Sequence, residues 1–158
     1  MVWAGISWKG QTKLRFIESG AKIDSKYYIE KVLKPFIKED LPKLYPDNDG
    51  ILQQDSAPSH SAKNTLNFLN KNKIKYIPPE LWTPNSPDNA PMDYSIWSYM
   101  VRELNKRKVT NIKSLKRTLT VIWSKIPLQV IHNTLLAWPT RCYQLYKLKG
   151  KNIEQYHS

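Results

Sequence analysis

The sequence contains little that would indicate a secreted, membrane-bound or zinc-binding protein. Cys142 is the single cysteine in 158 residues, so no internal disulfide can form, which favours a reducing, intracellular environment. We interpret Cys142 as a buried residue. No apolar run approaches the roughly 20 residues of a membrane helix, the first residues lack the features of a signal peptide, and no cysteine and histidine cluster has zinc spacing. We therefore expect no membrane association.

Acidic residues are also scarce. The chain has 13 Asp and Glu against 25 Lys and Arg, a formal net charge of +12, and its pI is about 9.7. Such a positive field favours a polyanion as partner. The alternative is a solvated basic surface that only aids solubility. We consider nucleic acid the better interpretation, with DNA and RNA both open at this point.

The pattern of apolar residues and turn signals predicts alternating strands and helices. The first part should contain a hairpin over residues 1–18 with its turn at 9–11, then a helix over 24–44 kinked by prolines. A strand over 51–54, a helix over 57–72 and a strand over 74–77 should follow. After a proline-rich loop over 82–92, we expect a helix from 93 and two helices from 111. This order predicts one α/β domain with a mixed sheet. Functional residues of such folds lie at the carboxyl ends of strands.

Few acidic residues stand where chemistry could use them. Asp55 follows a predicted strand, Asp93 begins a predicted helix, and Asp88 lies in the loop between. Carboxylates converging from different elements can hold Mg²⁺ for phosphoryl transfer. Helix capping is the simpler interpretation of Asp55 and Asp93 from spacing alone, and Asp88 fits a turn. A single histidine in a first helical turn, such as His60, is more often structural than a substrate contact.

Several segments together resemble the catalytic domain of mariner-type transposases. QQDSAPSH (53–60) is similar to that family's strand with its second catalytic Asp, and SPDNAPMDYSIW (86–97) to its segment with the third acid. MVWAGISWKGQTKLRFIESG, VIWSKIPLQVI and WPTRCYQLYKLKGKNIEQY resemble the family's hairpin and C-terminal helices. The resemblance covers essentially the whole chain, and the first two motifs are specific as a pair.

The resemblance implies an RNase H-like α/β fold with a mixed sheet flanked by helices. It implies Asp55 and Asp93, with 37 residues between them, as catalytic acids and ligands of two Mg²⁺ or Mn²⁺ ions, and His60 as a substrate-proximal residue. Asp88 does not match the third acid. The implied activity is DNA strand cleavage and transfer in transposition, with transposon ends and target DNA as partners, a homodimer, and a nuclear location.

Two expectations follow from comparing the chain with the family pattern. The chain begins at the hairpin that follows the family's first acidic strand, so we expect its sheet to lack that strand. We also expect the 158 residues to be inactive or nearly so by themselves. We divide this partial catalytic domain into a sheet and active-site part, 1–110, and C-terminal helices, 111–158. The alternatives are a non-catalytic DNA-binding remnant and a dimerising remnant of a transposase. The residues expected to contact DNA are Lys63, Lys71, Lys73, Arg102, Lys106, Arg107 and Lys108.

Overall fold

The strands are short and come in pairs. A computed structural model describes residues 1–82 and 87–149. The strands are β1 (Val2–Trp3), β2 (Ile6–Ser7), β3 (Gly10–Gln11), β4 (Arg15–Phe16), β5 (Ile51–Leu52) and β6 (Lys75–Tyr76). β1 pairs antiparallel with β4, β2 pairs with β3, and β5 pairs in parallel with β6. Both strand directions are present, as predicted, and no described strand joins the β1–β4 pair to the β5–β6 pair.

The helices follow the predicted order with some differences in extent. They are α1 (residues 25–44), α2 (Pro58–Ser61), α3 (Lys63–Lys71), α4 (residues 92–105), α5 (Ile112–Ser124) and α6 (Leu128–Lys147). The helix predicted over 57–72 is divided at Ala62, whose ψ of 139° is extended. A short 3₁₀ turn, Pro87–Asn89, lies within the predicted proline-rich loop, and another, Pro79–Leu81, directly precedes it. Among the described residues, every helix is too short or too polar to span a membrane.

The chain folds as two compact units, and a short segment of the N-terminal hairpin belongs to the second unit. The first takes the described residues of Met1–Gly5 and Gln11–Pro84, and the second those of Ile6–Gly10 and Asn85–Ser158. The division into 1–110 and 111–158 stays a prediction. Loop residues 83–86 and the closing residues 150–158 lie outside the described part of the chain.

Helix α1 of the first unit accommodates two prolines by widening its turns. Asp24 caps it by accepting a hydrogen bond from the Tyr27 N–H at 2.8 Å. Two stretches, Ile29–Leu33 and Phe36–Asp40, are π-helical. Pro35 and Pro42 lack the N–H that an α-helix needs, and the wider i to i+5 bonds keep the helix continuous around them. The expected kinks therefore take the form of π-helical turns.

The core of the first unit forms between one face of α1, helix α3 and the strands. Its buried residues are Ile17, Tyr28, Val32, Leu33, Leu69 and Ile74. Trp3 on β1 packs edge-on against Phe36, with ring centroids 5.7 Å apart. Phe68 of α3 is half-buried and packs against this cluster. Helix α3 is fully buried at Thr65 and Leu69.

A buried ion pair links the hairpin to α1. The Arg15 guanidinium lies 2.5 Å from the Asp40 carboxylate, and the two side chains are 10% and 5% exposed. Asp40 also accepts a hydrogen bond from the Lys13 N–H at 2.9 Å, and Arg15 lies over the Trp3 ring. One buried carboxylate therefore fixes the backbone and a side chain of the hairpin's second arm.

The second unit is mainly helical. Asn111 caps α5 in a reciprocal capping box with Ser114, which places the start of this helix as predicted. The buried apolar residues of the unit are Ile96, Met100, Ile122, Trp123, Ile126, Ile131 and Leu145. In the hairpin segment of this unit, the Trp8 ring stacks on His132 of α6 with centroids 3.8 Å apart. Gly10, with a φ of 128°, permits the tight turn of this segment.

Removing the Asp40 carboxylate is expected to destabilise the first unit strongly. In Asp40→Ala the buried Arg15 charge loses its close partner and keeps the more exposed Glu39 carboxylate, 3.6 Å away. The loss should cost up to about 3–5 kcal/mol, measurable as a lower free energy of unfolding in urea. As a matched control, Glu30→Ala removes an exposed pair with Lys34 and should cost less than about 0.5 kcal/mol. Equal losses in the two variants would show that Asp40 has no special role.

Candidate active site

Asp55 lies just beyond the carboxyl end of β5, the strand that pairs in parallel with β6. The Ile77 N–H bonds to the Leu52 carbonyl at 2.9 Å, which continues the pairing to the point where the chain turns towards Asp55. The Asp55 side chain is 63% exposed. Asp55 therefore follows a strand, as the sequence predicted.

Asp55 is held by two hydrogen bonds, both to the same oxygen. Its Oδ1 accepts from the Ala57 N–H at 3.0 Å and lies 2.6 Å from His60 Nδ1. Because a carboxylate only accepts, Nδ1 is the donor. The N-cap of α2 is Ala57, which makes no side-chain cap bond, so Asp55 closes an Asx turn rather than capping a helix.

These hydrogen bonds favour the ionised form of the Asp55 carboxyl over its neutral form. The hydrogen bond from His60 lowers the pKa of the Asp55 carboxyl, partial burial opposes this, and the Ala57 N–H lowers the pKa again. The net direction is downward, so the group is ionised at neutral pH. Since both bonds use Oδ1, Oδ2 is left available to a cation. An ionised carboxylate oriented through one oxygen fits a ligand of Mg²⁺ or Mn²⁺, which prefer oxygen donors.

A buried tyrosine supports the turn that bears Asp55. Tyr28 on α1 is 1% exposed and donates from its hydroxyl to Gln54 Oε1 at 2.8 Å, while Gln54 Nε2 donates to the His60 carbonyl at 3.3 Å. The Tyr28 ring also packs on the His60 ring, with centroids 4.2 Å apart. Burial raises the pKa of Tyr28, so its hydroxyl remains a neutral donor. His60 is thus oriented on two sides.

Sequence reasoning did not identify Tyr28 or Gln54 as part of the site. Tyr28 lies 27 positions before Asp55 in the sequence, on a helix whose periodicity indicates only a buried face. Gln54 precedes Asp55 directly, within the quoted QQD motif, but nothing in its type distinguishes it from a surface glutamine. The adjacency of Gln54 to the acid was the available signal.

Asp93 lies in the second unit, in the first turn of α4. This helix begins at Met92 with Pro91 as its N-cap and has no side-chain cap bond, so the capping interpretation of Asp93 is wrong. The Asp93 N–H bonds to the Ala90 carbonyl at 2.8 Å, and the residue is exposed. A carboxylate in a first helical turn is stabilised by the helix dipole. The predicted convergence of Asp93 with Asp55 stays a prediction.

Helix α6 contacts the segment around Asp93 at several points. Tyr94 donates from its hydroxyl to the Thr134 carbonyl at 2.6 Å, and the Ser95 and Thr134 hydroxyls are 2.7 Å apart. Arg141 Nη1 donates to the Asp88 carbonyl at 2.7 Å. Asp88 itself lies in a 3₁₀ turn, as its turn interpretation predicted. The α6 residues were not identified from the sequence, because their partners lie about 40 or more positions away.

Cys142 is exposed, which corrects the prediction that it is buried. It lies near the end of α6, where its Sγ is 3.4 Å from Asn89 Oδ1. An amphipathic helix presents alternating faces to core and solvent, and the residue type alone did not indicate which face Cys142 occupies.

The basic residues predicted to contact DNA are all exposed. Those of the first unit are Lys63, Lys71 and Lys73, and those of the second are Arg102, Lys106, Arg107 and Lys108. Glu103 lies 2.6 Å from Lys106 and 3.9 Å from Arg102, so it offsets part of this charge. Their exposure is compatible with a DNA contact, which stays a prediction.

Within the described ranges, no group of three or more His, Cys, Asp or Glu side chains is arranged to hold a metal ion. Asp55 and His60 form a pair, and the imidazole donates to the carboxylate oxygen rather than facing the same point as a second ligand. The Asp55 part of the predicted site therefore offers one carboxylate with a hydrogen-bonded orienting partner.

Comparisons with known proteins bear on the fold and on the resemblance. No family model matches the chain. The chain is 22% identical over 151 residues to the transposable element Tc1 transposase of Caenorhabditis elegans, covering 95% of the chain and 52% of that protein. The chain thus spans about half the length of the curated relative it matches.

Solved structures of Mos1 transposase share the fold. The crystal structure of the Mos1 mariner catalytic domain matches at a TM-score of 0.78 and 20% identity, over 96% of this chain and 74% of that one. The Mos1 paired-end complex with left transposon end matches at 0.80 and 21% identity, over 96% and 43%. Further matches are Mos1 catalytic domains with raltegravir and Mg or Mn, and the Mos1 strand transfer complex. The RNase H-like fold and the resemblance to mariner-type transposases are confirmed.

Replacing His60 by phenylalanine is expected to raise the pKa of Asp55 towards the value of a free aspartate. The ring remains to pack on Tyr28, but the Nδ1–H donor is lost. A carboxyl whose folded pKa is depressed adds stability above its unfolded pKa, about 3.9, and loses it as pH falls through the folded value. In the variant, the contribution of the Asp55 carboxylate to the free energy of unfolding should therefore be smaller. The ¹³Cγ shift of Asp55 as a function of pH measures the change.

The matched control is His132→Phe, which removes a second ring-stacked histidine of the described residues. Its Nε2 bonds to the carbonyl of Trp8, 124 positions away. It should leave the Asp55 titration unchanged. If the two variants leave Asp55 with the same pKa, the hydrogen bond from His60 is not what lowers it.

Proposed function

We propose that this chain, similar in sequence to a Tc1 transposase and sharing the fold of mariner catalytic domains, functions in cutting and joining DNA during transposition. The main observation supporting this is the exposed carboxylate of Asp55 at the carboxyl end of β5, oriented through one oxygen by His60. The matches to Tc1 and Mos1 transposases supply the reaction class. The substrates proposed are transposon ends and target DNA.

The proposed roles of the chain's own residues follow from their chemistry. Asp55 and Asp93 would hold divalent ions, Mg²⁺ or Mn²⁺, two of them in the intact enzyme. When bound, such ions activate the attacking hydroxyl and offset charge on the leaving oxygen. His60 would orient the Asp55 carboxylate through Oδ1, which leaves Oδ2 for a cation. The exposed lysines and arginines would bind phosphates and position the DNA.

The 158 residues by themselves are proposed to cleave DNA weakly or not at all. Two carboxylates provide fewer oxygen ligands than a pair of divalent ions requires, and no third acidic ligand joins Asp55 in the described residues. A homodimer and a nuclear location belong to the same proposal. The nucleus is where a protein acting on chromosomal DNA would work.

A DNA-binding role without catalysis is the second candidate. The formal charge of +12 and the exposure of all seven basic residues named above favour it. Binding of this kind depends on phosphate contacts and not on the carboxylates. The two candidates therefore differ in whether Asp55 matters.

Mn²⁺ is expected to raise the melting temperature of the chain and to lose this effect in Asp55→Asn and Asp93→Asn. A ligand that binds only the folded state at a hundred times its Kd adds about 2.7 kcal/mol to the free energy of unfolding. Thermal melts with and without Mn²⁺ measure the effect. Asp47→Asn, which removes an exposed carboxylate without a proposed role, is the control and should behave as the parent.

Asp88→Asn distinguishes the two acids of the SPDNAPMD segment. Because Asp93 is the proposed ligand, the Mn²⁺ effect should persist in Asp88→Asn. Loss of the effect in this variant but not in Asp93→Asn would reverse the assignment. A parent protein whose melt does not respond to Mn²⁺ would contradict the metal-binding proposal.

Duplex DNA is expected to bind with an affinity that falls steeply with salt. Each phosphate contact contributes about 0.9 to the slope of log K against log salt. The double variant Arg107→Gln with Lys108→Gln should therefore lower that slope by up to about 1.8, as measured by fluorescence anisotropy of labelled DNA from 50 to 200 mM salt.

Lys26→Gln with Lys38→Gln is the matched control, since it removes the same charge from exposed lysines of α1. It should change the slope little. Equal reductions in both double variants would indicate attraction to the net charge and no defined interface. Asp55→Asn should leave DNA affinity without metal unchanged or slightly higher.

A further inference from the structure

The segment that bears Asp93 is fixed from both sides by one arginine of α6. Arg141 Nη1 donates to the Asp88 carbonyl at 2.7 Å, five residues before Asp93. The same guanidinium lies over the Tyr94 ring, 4.0 Å from its centroid, directly after Asp93. Arg141 therefore bridges the 3₁₀ turn Pro87–Asn89 and the first turn of α4.

Thr134 provides a second attachment two turns earlier on α6. Its side chain is buried, its hydroxyl pairs with that of Ser95, and its carbonyl accepts a hydrogen bond from the Tyr94 hydroxyl. Pro139 lies inside α6 and has no N–H to donate to the carbonyl of Leu135, the residue after Thr134.

These contacts restrain the backbone on both sides of Asp93. Arg141 contacts the Tyr94 ring and the Thr134 carbonyl binds its hydroxyl, so two separate contacts restrain Tyr94 against α6. Arginine suits this place because its planar group can lie flat on an aromatic ring while an edge N–H donates to a carbonyl. A lysine would offer one point charge without the planar face.

We propose that Arg141 is a positioning residue for Asp93, holding the acid-bearing turn so that its carboxylate is presented for a divalent cation. The inference rests on the proposed function in that Asp93 is taken as a metal ligand. Groups that orient a ligand in this way typically change metal affinity by about 10–100-fold when removed. The effect of Arg141 should therefore appear in the affinity of the Asp93 region for metal as well as in stability.

The first measurement is amide hydrogen exchange of the metal-free protein. In Arg141→Met, exchange at Asp93 and Tyr94 should rise about tenfold, roughly the factor of one charge-assisted hydrogen bond. Arg141→Lys, which keeps the charge, should show most of the same rise because the planar contact is lost. Arg117→Met is the matched control, since it removes an exposed arginine of α5, and should not change exchange at these amides.

The second measurement is the broadening of amide signals by Mn²⁺, followed separately at 92–97 and at 55–60. In Arg141→Met the Mn²⁺ concentration that half-broadens signals of 92–97 should rise about tenfold, and in Arg117→Met it should equal that of the parent. A lower melting temperature with an unchanged Mn²⁺ midpoint would show a merely structural role and overturn the proposal.

The two measurements separate this inference from the function on which it rests. If Mn²⁺ broadens no signal of 92–97 in the parent, the metal role of Asp93 is wrong, and with it the proposed presentation of that acid by Arg141. If Mn²⁺ does broaden them but exchange at Asp93 and Tyr94 is the same in Arg141→Met and Arg117→Met, the proposed function stands and the role of Arg141 is overturned.

Discussion

The hydrogen bond between Asp55 and His60 is the contact around which Tyr28 and Gln54 are arranged. Asp55 is exposed, so water alone would keep it charged, yet water would not give its carboxylate one orientation. The imidazole does so, and it can because Tyr28 packs on its face and Gln54 bonds to its backbone. Tyr28 in turn is fixed by burial in the core. Orientation at the surface thus originates in apolar packing of α1.

The same helix supplies the other constraint of the first unit. Prolines at 35 and 42 would end an ordinary α-helix, but the π-helical turns carry α1 past them and place Asp40 inward, where it pairs with Arg15. A buried ion pair is costly to desolvate and adds little over an apolar pair. Its value here is positional, since Asp40 also bonds to the Lys13 backbone and so sets where the hairpin arm meets α1.

Much of this architecture could be predicted from the sequence, and the exceptions have physical causes. The order of elements, the Asp24 and Asn111 helix starts and the placement of Asp55 after a strand follow from local patterns. The Asx turn at Asp55 and the start of α4 at Met92 differ from a capping prediction by one or two residues, which decides whether a carboxylate caps a helix or points elsewhere. Tyr28, Thr134 and Arg141 depend on contacts between residues 26 to 53 positions apart, which no local pattern encodes.

The net positive charge of the protein acts in opposite directions on its two proposed ligands. A net charge of +12 attracts DNA over distances up to the Debye length, about 8 Å at physiological salt, and opposes a divalent cation by the same field. A metal site in such a protein needs carboxylates that are already ionised and already oriented, because the wider field gives no help. The depressed pKa of Asp55 and the restraint of the Asp93 turn by α6 meet this requirement locally. Bound DNA phosphates would further reduce the opposing field, so metal and DNA binding should assist one another.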